Sequence, residues 1–170
     1  LDNLIKTKKV NNINILMVSR LLKDKGVIEY HQASKKIYDE FDNVSFTLIG
    51  DRDPENPMNI SNLELEAIRK GPINYKGHIK SISSIINNFN VFILPSYHEG
   101  LSVSSLEAAS SGLCLLLSDI PGCREIVEDG VNGYIFKPKN SNSLYEAMKK
   151  IIKNKDIIYD FGVNSRLLVL

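Results

Sequence analysis

Short apolar runs and segments of helical periodicity alternate along the chain. Runs rich in β-branched and leucine residues predict strands at 13–18, 44–49, 73–75, 91–94, 113–117 and 134–136. Apolar residues at helical spacing predict helices at 26–41, 61–70, 81–88, 102–111 and 144–152. Strands that alternate with helices predict an α/β fold with a doubly wound, mostly parallel sheet, which is a Rossmann-like arrangement.

The ends of several elements carry signals of their own. Ser61 and Glu64 have the spacing of a capping box at a helix start, and Gly71 followed by Pro72 is typical of a helix end. The continuous apolar runs at 91–94 and 113–117 are typical of strands covered on both faces.

A length of 170 residues suits one compact domain, which we assign to residues 13–155. Residues 1–12 are interpreted as a linker or the start of a fragment. Residues 156–170 are interpreted as a truncated C-terminal helix, because the chain stops inside an apolar stretch from Arg166 to Leu170 with no helix-ending residue. The chain also begins with Leu1 rather than Met. These features predict a piece of a longer protein.

Composition narrows the classes of function. The 21 lysines and arginines nearly balance the 20 acidic residues, so the chain has no large basic field with which to gather nucleic acid. Cys114 and Cys123 lack the CxxC spacing of redox and zinc sites, and they indicate reduced thiols in a cytoplasmic protein. No apolar run approaches the roughly 20 residues that span a bilayer, so we expect a soluble domain.

Candidate binding residues follow the predicted strands, where ligands bind in open sheets of this kind. After the first strand come Ser19 and Arg20, and Lys25 and Gly26 stand at the start of the first helix. Two cations beside a helix start favour phosphate oxygens. The alternative is that Arg20 and Lys25 are ordinary surface charges.

The strand that ends at Leu94 leads into the segment PSYHEGLS and then into a helix. Gly100 permits close backbone approach, and the amides from Leu101 through Ser102 to Val103 are expected to be free at the helix start. Glu99 precedes this loop and Glu107 lies inside the helix; carboxylates at such places commonly accept hydrogen bonds from sugar hydroxyls. The alternatives are a capping box between Glu107 and Ser104, and a solvated loop charge for Glu99.

Several of these motifs occur in one order. They are Pro95-Ser96-x-x-Glu99-Gly100, Glu107-Ala108, Gly112, and Gly122-x-x-Glu125-Ile126-Val127-x-Asp129-Gly130-x-Asn132-Gly133. The set closely resembles the C-terminal, donor-binding domain of retaining GT-B glycosyltransferases of family 4, the group 1 glycosyltransferases. The resemblance runs from about Ile13 to Ile152.

The resemblance implies a role for each matching residue. Arg20 and Lys25 would hold the diphosphate of a nucleotide-sugar and stabilise its negative charge as it leaves. In other enzymes a metal ion performs this task, so the resemblance implies that no metal is needed. Glu99 would contact hydroxyls of the donor sugar, Glu107 would bind the ribose, and the amides near Leu101 to Val103 would meet the phosphates. His98 is a candidate for the sugar pocket, and His78 and Ile79 are candidates to flank the base. No residue is identified as a covalent nucleophile.

The implied reaction transfers a sugar from a UDP-, GDP- or ADP-sugar to an unknown acceptor with retained configuration, as in polysaccharide biosynthesis, and no cofactor is expected. A missing N-terminal domain of the same protein would supply the acceptor contacts, so this chain alone is expected to be inactive. Contact with the inner face of the membrane is expected only through that missing half.

Some positions depart from the family pattern. Ser19 and Arg52 stand where glycines are usual, and Ser102 replaces a small Gly or Pro. Each of these side chains is expected to reduce the space available to the donor. We therefore expect these departures to affect which donor is preferred. Pro121 takes the place of one glycine of a pair, and Cys114 replaces a proline at a strand start.

Two other functions fit parts of the pattern. A phosphorylase or a sugar-nucleotide epimerase has the same two-domain architecture. A receiver-like signalling domain shares the alternating order and has strand-end acids in Asp51 and Asp119, but acids are lacking after the first strand and no Lys follows Ser118. The glycine motifs of NAD-binding and P-loop proteins are absent from the sequence.

Overall fold

A computed structural model describes residues 10–170, in which six strands form one parallel sheet. The strands are β1 (Ile13–Val18), β2 (Val44–Ile49), β3 (Ile73–Tyr75), β4 (Val91–Leu94), β5 (Cys114–Ser118) and β6 (Gly133–Phe136). Their order in the sheet is β3-β2-β1-β4-β5-β6, and every neighbouring pair is parallel. The predicted doubly wound α/β fold is confirmed. Most of the expected linker, residues 1–9, lies outside the described residues.

Six α-helices cover the sheet within the described part of the chain. They are α1 (Val27–Glu40), α2 (Asn62–Lys70), α3 (Val103–Ser110), α4 (Pro121–Arg124), α5 (Ser141–Lys153) and α6 (Ile157–Val169). Helix α1 packs on α5, whereas α3 packs on α6. None of these helices has the length and apolar character that crossing a membrane requires.

The two faces of the sheet bury two separate apolar cores. Ile15 and Met17 of β1 belong to the core that α1, α2 and α5 cover, whereas Leu16 between them belongs to the core under α3. Successive strand residues point to opposite faces, so a strand buried on both sides needs a continuous apolar run. This explains why the runs of β4 and β5 contain only buried residues.

Two short segments differ from the sequence prediction. Residues 81–88 form two 3-10 turns, Ile82–Ser84 and Ile86–Asn88, instead of one helix. The Ser84 hydroxyl donates to the Ser81 carbonyl at 2.8 Å, and such local side-chain bonds compete with regular helix formation. The four-residue helix α4 was not predicted; Pro121 occupies its first turn, where a missing N–H costs little.

The predicted capping box of α2 is confirmed in both of its bonds. The Glu64 amide donates to Ser61 Oγ at 3.2 Å, and the Ser61 amide donates to Glu64 Oε2 at 2.6 Å. The helix also ends before Gly71 as expected, but Gly71 is extended, with φ −89°, so the end lacks a left-handed glycine cap.

The sheet order reverses between β1 and β4, and their loops meet at this point. Gly26 has φ +73°, and a Cβ atom there would lie 2.0 Å from the Pro95 carbonyl oxygen. Only a glycine allows this approach of the loop after β1 to the loop after β4. The crevice at such a reversal is where open α/β sheets bind ligands.

Candidate functional site

A cleft of about 460 Å³ opens beyond the C-terminal ends of β1, β2 and β3, and the start of α3 forms its opposite side. The residues that line it come from four segments, and they are Val18, Ser19, Arg20, Ile49, Gly50, Asp51, Arg52, His78, Ile79, Ile82, Val103, Ser104 and Glu107. The cleft therefore joins segments that are up to 89 positions apart in the sequence, from Val18 to Glu107.

Lys25 and Glu99 form an ion pair at the point where the loops after β1 and β4 meet. Lys25 Nζ lies 2.6 Å from Glu99 Oε1, and the two side chains are 19% and 13% exposed. The buried Ser96 hydroxyl donates to the same carboxylate oxygen at 2.7 Å. Glu99 is therefore held in place by two partners, and the expectation of a solvated loop charge is wrong.

The loop that carries Glu99 is also fixed through its backbone. The Tyr97 amide donates to the Asp24 carbonyl at 2.8 Å, and the Tyr97 hydroxyl donates to Glu29 at 2.5 Å. On the other side Gly122 approaches the loop so closely that a Cβ atom would lie 2.0 Å from the Gly100 carbonyl oxygen. Gly122 belongs to the sequence motif, but its contact with the Glu99–Gly100 backbone was not foreseen.

The start of α3 uses Ser102 as its N-cap. Ser102 Oγ accepts from the Ser105 amide at 3.3 Å and from the Ser105 hydroxyl at 3.0 Å, and Ser102 is 7% exposed. Its side chain caps the helix and Ser102 does not line the cleft, so its expected effect on the room near the donor stays a prediction. The amides of Leu101, Val103 and Ser104 donate to no acceptor among residues 10–170.

Glu107 is exposed on the side of α3 that faces the cleft. The alternative of a capping box with Ser104 is excluded, because the N-cap lies two residues earlier, with Ser102 as the cap and Ser105 as its partner. The carboxylate of Glu107 is thus available to a ligand in the cleft.

Arg20 lines the cleft but has an acidic partner of its own. Its Nη1 atom lies 2.7 Å from Asp53 Oδ2, and the two side chains are 57% and 33% exposed. Arg20 and Lys25, which were expected to share one diphosphate, thus belong to two separate ion pairs. The Asp53 pair is open to solvent, where such pairs contribute little stability.

The three remaining candidates, His78, Ile79 and His98, do not all lie in the cleft. His78 and Ile79 line the cleft as expected, whereas the exposed His98 does not. Glu99 also lies outside the cleft lining, next to it at the β1–β4 junction. Among the described residues, no group of three or more His, Cys, Asp or Glu side chains is arranged to hold a metal ion.

Cys123 of α4 is buried close to the Lys25–Glu99 pair. Burial and the Glu99 charge raise the pKa of its thiol to about 12, while Lys25 opposes that shift. Cys114 is buried inside β5, and burial raises the pKa of its thiol as well. Both residues are free thiols.

Comparison with known proteins places the chain in a family. The family described as glycosyl transferases group 1 matches residues 4–167, so the chain belongs to this family. A relative from Campylobacter jejuni, N,N'-diacetylbacillosaminyl-diphospho-undecaprenol alpha-1,3-N-acetylgalactosaminyltransferase, is 33% identical over 151 residues. The match covers 89% of this chain and 38% of that protein, so the chain spans well under half of the relative's length.

Solved structures share the fold. Anabaena Alr3699/HepE in complex with UDP and glucose superposes with a TM-score of 0.81 at 21% identity, over 94% of this chain and 44% of that one. The C-terminal domain of the group 1 glycosyl transferase LpcC from Francisella tularensis gives a TM-score of 0.79 at 22% identity, over 92% of this chain and 84% of that domain. The chain is thus a C-terminal GT-B domain of the glycosyltransferase type. The family match favours neither the receiver-like alternative nor the phosphorylase or epimerase alternative.

Proposed function

We propose that this chain is the donor-binding half of a retaining glycosyltransferase that uses a UDP-sugar. The observation that carries the proposal is the cleft itself, which brings Arg20, the unbonded amides at the start of α3 and Glu107 to one place. Phosphate oxygens suit the cation and the amides, and ribose hydroxyls suit the carboxylate. UDP is proposed because Alr3699/HepE, which shares the fold, is described in complex with it.

In this proposal Arg20 and Lys25 stabilise the negative charge that develops on the departing diphosphate. Positioned cations perform this task without a metal ion, since they are in place before the charge forms. Because each already has an acidic partner, bound diphosphate would draw Arg20 from Asp53 and would share Lys25 with Glu99.

Glu99 would accept hydrogen bonds from hydroxyls of the donor sugar. Its Oε1 atom is already bonded to Lys25 and Ser96, which leaves Oε2 to meet the sugar. Glu99 lies over β4, and the cleft with its nucleotide contacts extends from there towards β3. In this proposal the sugar lies at the β1–β4 junction and the base lies at the far end of the cleft.

The acceptor contacts and the rest of the catalytic surface are proposed to come from another domain of the full-length protein. The full-length protein is proposed to be cytoplasmic and to touch the membrane only through that other domain. The isolated chain would then bind the donor but transfer no sugar. N-acetylgalactosamine is the first sugar to test, because the Campylobacter jejuni relative is named as an N-acetylgalactosaminyltransferase.

Calorimetric titration of this chain with UDP tests the proposal. We expect saturable binding, with an affinity that falls about tenfold or more in the Arg20→Ala variant, because a charge-assisted bond to phosphate is lost and about 1.4 kcal/mol corresponds to tenfold. Arg69→Ala is the matched control, since Arg69 is equally exposed, pairs with Glu66 and lies outside the cleft. Equal UDP binding by the Arg20→Ala and Arg69→Ala variants would contradict the assigned phosphate site.

A further inference from the structure

Arg52 is a cleft residue to which the proposed reaction gives no task. Its Nη1 atom donates to Asn62 Oδ1 at 2.7 Å at the exposed rim. Its Nε and Nη2 atoms are shielded from solvent, and among the described residues neither has a hydrogen-bond acceptor. A guanidinium presents these two N–H groups side by side, so Arg52 holds an unused pair of parallel donors.

The loop that carries Arg52 is held by its neighbours on both sides. The Gly50 amide donates to the Gly77 carbonyl at 2.9 Å, and the Leu21 amide donates to the Asp51 carbonyl at 2.9 Å. The Tyr75 hydroxyl donates to the Gly50 carbonyl at 3.1 Å. The backbone therefore fixes where the side chain starts, while a single bond to Asn62 holds its tip. A ligand would reach the donor pair once the side chain rotates towards the cleft.

Buried donors without acceptors are rare in folded proteins, and they call for a physical explanation. Arg20 offers a contrast in the same cleft, because its guanidinium is exposed and is already paired with Asp53. Arg52 has no carboxylate partner among residues 10–170. An acceptor that enters the cleft with a ligand would satisfy its donors.

The position of Arg52 in the sheet indicates which part of a nucleotide it meets. Lys25 and Glu99 lie at the junction of β1 and β4, whereas Arg52 follows β2 and His78 follows β3, the edge strand. Neighbouring strands are about 4.8 Å apart, so β4 and β3 are separated by roughly 14 Å. If the diphosphate lies near β1 and β4 and the nucleotide extends towards β3, its base would lie in the part of the cleft that Arg52 and His78 line.

The same end of the cleft is lined by Ile79 and Ile82. Apolar side chains suit the flat faces of a base, and the donor pair of a guanidinium suits exocyclic oxygens and ring nitrogens on its edge. An exocyclic amino group is itself a donor, so it would leave the donors of Arg52 unsatisfied.

On the basis of the proposed function, we infer that Arg52 selects the base of the donor by donating to an exocyclic keto oxygen, O4 of uracil or O6 of guanine. Cytosine and adenine carry an amino group at the corresponding position, so the site disfavours CDP- and ADP-sugars. Arg52 thereby acts as a specificity-determining residue.

Two matched pairs of nucleotides test this inference by calorimetry on this chain. UDP and CDP differ at position 4 of a pyrimidine, and GDP and ADP are purines of similar size that differ at position 6. In the size class that binds, we expect the keto member to bind about tenfold more tightly or better, because O6 and N7 of guanine accept from both donors, whereas O4 of uracil alone accepts from the pair. Arg52→Met should reduce this ratio to below about threefold, whereas Arg69→Met, at an exposed arginine outside the cleft, should preserve it.

Arg52→Lys separates charge from the paired donors. The Arg52→Lys variant should bind inorganic pyrophosphate with the affinity of the unchanged chain. It should nevertheless lose the preference for keto bases, because an ammonium is a point charge that lacks the two parallel donors of a guanidinium. Circular dichroism of each variant verifies that it is folded. A keto-to-amino ratio near one in the unchanged chain, or an unchanged ratio in Arg52→Met, overturns the inference.

Failure of the inference can be told from failure of the proposed function. If pyrophosphate and all four nucleotides bind with one affinity that depends on Arg20, the phosphate site stands and the base-selecting role of Arg52 falls. If neither pyrophosphate nor any nucleotide binds, the donor-binding function and the inference fall together.

Discussion

The loops after β4 and β2 both border the candidate site, but they hold their charges in opposite ways. At the end of β4, Glu99 is paired with Lys25 at 2.6 Å, and both side chains are less than one-fifth exposed. At the end of β2, Asp53 is paired with Arg20 at 2.7 Å in a solvent-exposed setting, and Arg52 beside it has two shielded donors without acceptors.

In the proposed function, this difference means that the Lys25–Glu99 pair positions the donor, whereas Arg20 and Arg52 recognise it. The Lys25–Glu99 pair is satisfied by contacts within the chain, so in the proposed function a donor would only have to share it. On the Arg20–Arg52 side, a bound donor would replace weak or missing contacts, so we expect this side to respond most to differences between ligands. We expect substitutions in the first region to affect stability and catalysis, and those in the second to affect selection.

The largest effect is expected from Lys25→Ala in the full-length protein. Removal of a positioned charge that stabilises a transition state costs about 100- to 1000-fold in rate, and we expect kcat/KM for sugar transfer to fall by this factor. Lys23→Ala is the control, because Lys23 is two positions away, exposed, and paired with Glu64 at 3.8 Å. A Lys25→Ala enzyme within about threefold of the Lys23→Ala enzyme in kcat/KM would show that Lys25 has only a structural role.

A smaller effect, on stability, compares the two ion pairs directly. Glu99→Gln leaves Lys25 largely buried without its counter-charge, and we expect a loss of about 2 kcal/mol in the free energy of unfolding, below the range for fully buried pairs because some exposure remains. Asp53→Asn disrupts the exposed pair and should cost under about 1 kcal/mol. Urea unfolding of both amide variants measures the difference. Equal losses would mean that the two regions hold their charges alike.

Much of this molecule could be predicted from local patterns. The apolar runs of β1, β2, β4 and β5 give strands because each is covered on both faces, and the capping box at Ser61 is a bond between near neighbours. Of the candidate site residues, Arg20, Val103 and Glu107 line one cleft together with His78 and Ile79, whereas its lining does not include Lys25, Glu99, Gly100, Leu101 and Ser102.

The partners inside the site could not be predicted in the same way. The bond between Lys25 and Glu99 spans 74 positions, and the bond between Arg20 and Asp53 spans 33. Such pairings depend on how loops approach after the sheet has formed, as the contact of Gly122 with the Gly100 carbonyl illustrates. The role of Ser102 shows a related limit, because a serine before a helix can face a ligand or cap the helix, and the sequence alone did not identify Ser102 as the cap.

The smallest effect uses Cys123 as a reporter of the β1–β4 junction. Its pKa is raised to about 12 by burial and then by Glu99, so at neutral pH the thiol is protonated and should alkylate slowly. Glu99→Gln removes a negative charge that opposes the thiolate and leaves Lys25 in place, so the pKa of Cys123 should fall and alkylation at a fixed alkaline pH should become faster. Alkylation rates as a function of pH, with each cysteine resolved by mass spectrometry, test this. Cys114 is the internal control, because burial alone raises its pKa and its rate should not change. Equal acceleration at both cysteines would indicate general loosening of the fold, and it would remove the electrostatic link between Cys123 and the Lys25–Glu99 pair.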